Sequence, residues 1–324
     1  MAERQLVFLR DSASLQQIPE AADLLTAQGM TLVRSLAEGD AAHVVALVTG
    51  LGRVSLADVE AFANLRVVAQ FGAGTDNIDV AGLWHARKIP VTCTANLSNR
   101  HVAEQALAML ILTLRHVPQD ISGLRADPFR WRDIQRGKGL SESVVGIVGA
   151  GNIGLEVARI VAPLAARVLV WSQRGRTLDL PPGCETVSSL DDLATNADAV
   201  TVHLSLNEAT RGIIGAEFFA KSRHIALVNT SRGSIVDEAA LLAALEAGSV
   251  RAAAVDVWSS EGVKDNPLIR ALRLHPSVLP TSHIGAFTTG VQQLYAVQVA
   301  RNILAVMGGR LAEISEHLAT PAAL

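Results

Sequence analysis

The sequence predicts an α/β protein of two doubly wound parallel-sheet domains, and three observations carry that expectation. The composition is aliphatic: 49% of the 324 residues are hydrophobic but only 4% are aromatic, the profile of layered packing in which buried parallel strands read as Ala, Val, Leu and Ile runs. Such runs alternate with helical patterns about every 25 to 30 residues, the length of one strand–helix–strand crossover. One run, Val144-Val145-Gly146-Ile147-Val148, leads directly into Gly149-Ala150-Gly151-Asn152-Ile153-Gly154 and then into a helical pattern.

Taken in order, the first series of strands is expected at residues 6–9, 31–33, 44–48, 66–69 and 91–94, with turn residues such as Gly29 closing the helices between them. Residues 101–117 are apolar at helical spacing (Val102, Leu107, Leu110, Ile111, Leu114), which predicts one long helix linking the domains. A loop over 127–143 precedes the second series, expected as six strands at 144–148, 168–171, 199–204, 225–230, 252–257 and 278–283. Alternation of strands with helices implies parallel sheets, right-handed crossovers and helices on both faces. Residues 291–306 predict a further long helix, returning to pack on the first domain.

Charge and cysteine usage remove several classes of function. A net charge of -3 leaves no basic footprint for nucleic acid. Cys93 and Cys184 stand outside any CxxC or His/Cys cluster, which predicts reduced thiols with neither disulfide nor metal site. The N-terminal residues carry Glu3, Arg4, Arg10 and Asp11 without an apolar core, and no 18-residue apolar span follows. That excludes a signal peptide and a membrane span and predicts a soluble, cytoplasmic protein.

The glycine triplet is physically specific in its context. Gly149 permits a tight turn, Gly151 lets backbone approach a pyrophosphate, and Gly154 lets the helix pack close on the strand. The helix N-terminus offers N–H groups and partial positive charge to phosphates. Ile153, Val157, Ile160, Val161 and Leu164 share one face of that helix. A dinucleotide site follows, with ligand expected at the carboxyl ends of the strands. Those ends carry residues hard to explain as core: Thr230-Ser231-Arg232-Gly233, then Asp256 with Glu261 five residues on, then His283-Ile284-Gly285.

Arginine, glutamate and histidine so placed fit hydride transfer to a 2-keto acid. Arg232 offers a planar fork for a carboxylate and polarises the adjacent carbonyl. His283 titrates in the range needed to donate a proton, and Glu261 would orient the imidazole and favour its protonated form. Singly, Arg232 is as readily a turn cap and His283 as readily a structural histidine as a functional group, and Glu261 is more readily a solvated loop residue. Placement after successive strand ends is what favours the chemistry.

These residues resemble the D-isomer-specific 2-hydroxyacid dehydrogenase family across nearly the whole chain. Val145-Gly146-Ile147-Val148-Gly149-Ala150-Gly151-Asn152-Ile153-Gly154 looks like the family's cofactor loop, and Leu227-Val228-Asn229-Thr230-Ser231-Arg232-Gly233 like its arginine motif. Asp256-Val257-Trp258-Ser259-Ser260-Glu261 and Thr281-Ser282-His283-Ile284-Gly285 look like its acid and histidine segments. Phe71-Gly72-Ala73-Gly74-Thr75-Asp76-Asn77-Ile78-Asp79 is similar to its substrate loop. The resemblance implies a Rossmann dinucleotide-binding domain (100–284) inserted in a smaller flavodoxin-like substrate domain (1–99 and 285–324). It implies that backbone N–H groups of Ala73, Gly74 and Thr75 hold the substrate carboxylate, with Leu51 by the substrate side chain. It also assigns Asp256 to the nicotinamide carboxamide, and places Val102, His203, Leu204, Thr210, Thr230, Ser231 and Gly285 about the cofactor. Gly262, Ser282 and Ser205 stand where the family commonly has proline, altering loop stiffness more than chemistry. The presence of Glu261 argues against formate dehydrogenase, whose site uses Gln there.

An NAD site should show an acid about 20 residues after the fingerprint, on the ribose 2′-OH. Here Ser172 stands at that place, followed by Gln173, Arg174, Gly175 and Arg176, and an arginine could pair with a 2′-phosphate. The expectation is therefore NADP(H) over NAD(H), a glyoxylate- or hydroxypyruvate-like substrate bound between domains, and a homodimer formed through the apolar linking helix. Two rivals share the fold: a non-catalytic NAD(H)-sensing corepressor-like protein, and another Rossmann enzyme, which the Arg/Glu/His order disfavours.

Overall fold

The computed structural model describes residues 4–10, 14–131, 136–173, 179–261 and 265–319. Contacts divide the chain into two compact units, Met1–Ser98 with Thr288–Leu324, and Asn99–Phe287.

The first unit is a five-stranded parallel sheet of β1 (Gln5–Leu9), β2 (Met30–Val33), β3 (Val44–Thr49), β4 (Val67–Gln70) and β5 (Val91–Thr92), ordered β2-β1-β3-β4-β5. That is the flavodoxin-like order. Every residue of β3 and β4 is buried, which is why these strands carry unbroken apolar runs rather than alternation. Helices α1 (Ser14–Gln17), α2 (Pro19–Thr26) and α3 (Val80–Arg87) belong to the same unit. Proline pre-sets the first turn of α2, and Gly29, at φ 76°, turns the chain from α2 into β2. Asp79 caps α3 by accepting from the Gly82 N–H at 2.9 Å.

The second unit begins with α4 (Asn99–Leu114) and α5 (Val117–Ala126). Its sheet is built from β6 (Val144–Val148), β7 (Arg167–Trp171), β8 (Cys184–Thr186), β9 (Ala199–Val202), β10 (Ile225–Asn229), β11 (Val250–Val255) and β12 (Val278–Pro280). Helices α6 (Asn152–Val161), α7 (Leu190–Asn196), α8 (Ala216–Lys221), α9 (Glu238–Ala247) and α10 (Pro267–Leu274) make the crossovers. The parallel order β12-β11-β10-β9-β6-β7-β8 reverses direction between β6 and β9, and ligands of doubly wound sheets bind at that switch point. One face is covered by α4 and α6 through Ala103, Ala106, Leu110, Val157 and Val161. The other is covered by α7 to α10 through residues such as Leu193, Phe218, Leu241 and Leu272.

The chain then returns to the first unit with α11 (Thr289–Met307). Ala296, Val299, Ala300 and Ile303 of α11 are fully buried against Val7, Leu25, Ala46 and Val67. Burial of each valine, leucine or isoleucine among them contributes about 1.5–3 kcal/mol. Among the described residues no helix is long and apolar enough to cross a membrane.

Three expectations need correction. The second sheet has seven strands, not six: β8 is a three-residue edge strand, partly exposed, with too little apolar pattern to register. The helix expected over 101–117 breaks at His116, held left-handed at φ 57°, because Pro118, in the first turn of α5, cannot continue a preceding helix. Last, β12 ends at Pro280, so His283 sits in a loop three residues beyond it rather than at the strand terminus.

Candidate active site

The turn after β6 has the geometry the glycines were expected to provide. Gly149 sits at φ 108°, and a Cβ there would lie 2.6 Å from the His203 carbonyl oxygen. A Cβ on Gly154 would lie 1.9 Å from the Gly149 carbonyl oxygen, whereas one on Gly151 would meet nothing within 4 Å. Gly151 is also the N-cap of α6 and brings no side-chain cap, so the helix terminus keeps its positive end for an anion. Beside this turn, His203 is buried, and burial pushes its imidazole down to about 3. Its Nε2 pairs with Thr201 Oγ1 at 2.8 Å, while Nδ1 and the buried Thr230 Oγ1 have no partner among the described residues. Orphaned buried polar atoms around an open glycine turn fit a bound dinucleotide better than an empty core.

Farther along the same edge, the sheet brings Arg232, Glu261 and His283 together. His283 Nδ1 lies 2.8 Å from Glu261 Oε2, and Glu261 Oε1 accepts from the Trp258 N–H at 3.0 Å. Both side chains keep 25% of their surface exposed. Burial raises the Glu261 carboxyl, but the His283 hydrogen bond and charge, the Trp258 N–H and the Arg232 charge outweigh it and hold the group below its ordinary value. Arg232 Nη1 donates to the Ser231 carbonyl at 2.8 Å. Its loop is shaped by Asn229, whose Oδ1 accepts from Ser231 N–H and Oγ and whose Nδ2 donates to the Arg232 carbonyl. Asn229 stands within the arginine motif but has no role of its own in the sequence reading, although its position at a strand end before a polar run is a signal that could have found it.

His283 itself is left-handed at φ 58°, an uncommon state for a non-glycine residue and one that surrounding structure must hold. Asp256 supplies that hold. Its carbonyl accepts from His283 N–H, and its carboxylate accepts from Ile284 N–H, Gly285 N–H and Thr281 Oγ1. A Cβ on Gly285 would lie 3.1 Å from Asp256 Oδ2 and 3.8 Å from Val102, so Val102 abuts the same turn.

The remaining candidates fall as follows. Leu204 touches the Gly149 turn. Thr210 is buried, and its hydroxyl bridges the Ser205 carbonyl and the Asn207 N–H, a turn-forming role. Asn152 and Ile153 open α6. Ser172 and Gln173 directly follow β7; Arg174 and Arg176 lie outside the described residues, as does Gly262. In the first unit, the loop of Ala73, Gly74 and Thr75 follows β4 and is tied to residues 50–54 through Asn77 Nδ2, which donates to the Gly50 and Gly52 carbonyls. Leu51, 64% exposed, lies in that neighbouring loop.

Residues 107–285, more than half of the chain, match the family model described as D-isomer specific 2-hydroxyacid dehydrogenase, NAD binding domain. D-3-phosphoglycerate dehydrogenase of Methanocaldococcus jannaschii is 31% identical over 304 residues, covering 93% of this chain and 56% of that protein. The chain thus spans about half the length of the phosphoglycerate dehydrogenases it matches. Hydroxypyruvate reductase of Thermotoga maritima is 32% identical over 265 residues, 82% of this chain and 85% of that one. The fold also matches D-lactate dehydrogenase of Aquifex aeolicus, complexed with NAD and lactic acid, at a TM-score of 0.86 and 21% identity over 98% and 100% of the two chains. With a family model matched over more than half of its length and a relative aligned over most of both lengths, the chain belongs to the D-isomer specific 2-hydroxyacid dehydrogenase family.

Proposed function

We propose that this chain is an NAD(P)-dependent D-2-hydroxyacid dehydrogenase that reduces a small 2-keto acid of the glyoxylate or hydroxypyruvate kind. The observation that carries the reading is the 2.8 Å pairing of His283 with Glu261 under the charge of Arg232. A bound nicotinamide dinucleotide supplies the hydride. Arg232 binds the substrate carboxylate and polarises the carbonyl, His283 Nε2 delivers a proton to the carbonyl oxygen, and Glu261 fixes Nδ1–H of the ring. The ketone carbon gains the hydride and its oxygen gains the proton, giving the 2-hydroxy acid and oxidised cofactor. Residues Gly149, Gly151, Asn152, Ile153 and Gly154 hold the pyrophosphate in this reading, and the backbone of Ala73, Gly74 and Thr75 contributes N–H groups to the substrate carboxylate.

The absence of an acid at Ser172 and Gln173 supports NADPH as the preferred cofactor, since nothing there repels a 2′-phosphate. Exposed Phe129, at 94%, and Ile111 of α4, at 40%, support a homodimer, which sedimentation would reveal. Oxidation of NADPH and of NADH against a panel of 2-keto acids tests the enzyme assignment. The expected result is turnover of hydroxypyruvate or glyoxylate, faster with NADPH and abolished in His283→Gln. Dinucleotide binding without turnover of any keto acid would overturn it in favour of a sensing role, and a preference for NADH would overturn the cofactor assignment.

A further inference from the structure

Glu238 is a buried carboxylate, 8% exposed, for which the reaction above has no use. It is the first residue of α9, yet it is not the cap: Asp237 already accepts from the Ala239 and Ala240 N–H groups. Both Glu238 oxygens instead reach across to one residue of a different loop. Oε1 accepts from the Ser259 N–H at 2.8 Å and Oε2 from Ser259 Oγ at 2.5 Å. The carboxylate borders a small cavity lined by apolar Leu227, Val236, Leu241, Val255 and Trp258, surroundings in which an unpaired charge would be costly. Charge-assisted bonds in such a place are strong and geometrically strict.

Ser259 lies between Trp258 and Glu261, the acid-bearing residue of the pair. Immediately before it, Trp258 donates its N–H to Glu261 Oε1 and its Nε1–H to the Thr281 carbonyl at 3.1 Å. Arg273 stacks 4.8 Å over the Trp258 ring. A Cβ on Gly233 would lie 2.1 Å from the Trp258 carbonyl carbon and 2.2 Å from Ser259 N, so the loop bearing Arg232 is in direct backbone contact with the same peptide. Gly233 is thus needed for close approach, not for a left-handed turn. One peptide, 258–259, is where the loops after β10, β11 and β12 meet.

We propose that Glu238 is a positioning residue: by gripping Ser259 through both oxygens it locks the 258–261 loop, and so sets Glu261 against His283 and in register with Arg232. The proposal rests on the proposed function only for the step that reads out turnover. Loosening the grip lets the Glu261 carboxylate drift from Nδ1 without removing any group that touches the substrate or cofactor.

The test uses Glu238→Gln and Ser259→Ala, singly and together, in the full chain. Both single variants should lower kcat for hydroxypyruvate about tenfold, the worth of one charge-assisted hydrogen bond, with KM for the cofactor little changed. The double variant should be no worse than the worse single one, because both remove the same contact. The alkaline limb of the pH–rate profile and the NMR titration of the His283 ring should move in parallel. A lowered Tm with kcat, pH profile and ring titration all unchanged would overturn the proposal and leave Glu238 a fold-stabilising residue. If Glu238→Gln does not fold, Ser259→Ala decides alone, since it keeps the carboxylate and deletes one hydroxyl. If the parent protein turns over no keto acid, the proposed function fails, and the ring titration still accepts or rejects the clamp.

Discussion

Replacing Glu261 by Gln changes one atom in the acid–base pair, and its effect can be worked out from the geometry. The amide oxygen can keep the Trp258 N–H bond now made by Oε1. The amide nitrogen then faces His283 Nδ1 at the site of the present 2.8 Å contact and, as a donor, demands a lone pair there. That favours the neutral ring and withdraws the countercharge from the protonated one. At 2.8 Å, with three-quarters of each side chain covered, the gross attraction at an effective dielectric near 20 is about 6 kcal/mol. Most of that is offset by desolvation, leaving about 1.5–3 kcal/mol for a hydrogen bond to a charged group, or about one to two decades in the population of the proton-donating form. Reduction needs that form, so turnover falls with it. At neutral pH the keto-acid reduction rate should fall about 10- to 100-fold, with cofactor affinity unchanged. Stopped-flow NAD(P)H oxidation from pH 5 to 10 reads both quantities. Superimposable profiles for parent and Glu261→Gln would refute the reasoning.

Two further outcomes follow from the glycine turn and its neighbour. Gly154→Ala sets a methyl 1.9 Å from the Gly149 carbonyl oxygen, so α6 must retreat by about an ångström, at a cost of about 1–3 kcal/mol; both Tm and dinucleotide affinity by fluorescence titration should drop, and an unchanged affinity would count against the turn as the phosphate site. His203, pushed down to about 3 by burial, stays neutral in the fold while the unfolded chain takes its proton near 6.5. Its contribution is therefore whole above that pH and declines as pH falls from about 6.5 towards 3, by up to about 1.4 kcal/mol per pH unit. Its ring resonances should not titrate between pH 8 and 5, and a midpoint near 6.5 would show the ring to be solvated.

Eleven of the twelve strands were legible, because a parallel sheet buried on both faces demands unbroken aliphatic runs such as 44–48 and 225–229. The twelfth, β8, pairs only three residues at an edge, where burial no longer dictates composition. That Arg232, Glu261 and His283 would come together was legible from their places beyond successive strands. Their supports were not. Glu238 looks like an ordinary first-turn acid of α9, and its attachment to Ser259 crosses 21 residues of chain. Gly233 reads as turn punctuation, yet its reason is the backbone it touches. The turn that holds His283 left-handed depends on Asp256, which the family resemblance assigns to a ligand and which in the fold also organises the loop.

The insertion of one unit in the other orders events during synthesis. The five-stranded sheet is complete by Val91–Thr92, but the helix that covers β4 is α11, which begins only at Thr289. At about 5–20 residues per second, the ribosome takes roughly 10 to 40 s to supply it, the time needed to make the whole of Asn99–Phe287. Throughout that interval Val7, Ala46 and Val67 lack their partners Ala296, Val299 and Ile303, while the seven-stranded unit has all of its own. The inserted unit can thus mature first, leaving the first sheet as the late-folding, chaperone-exposed part of the nascent chain.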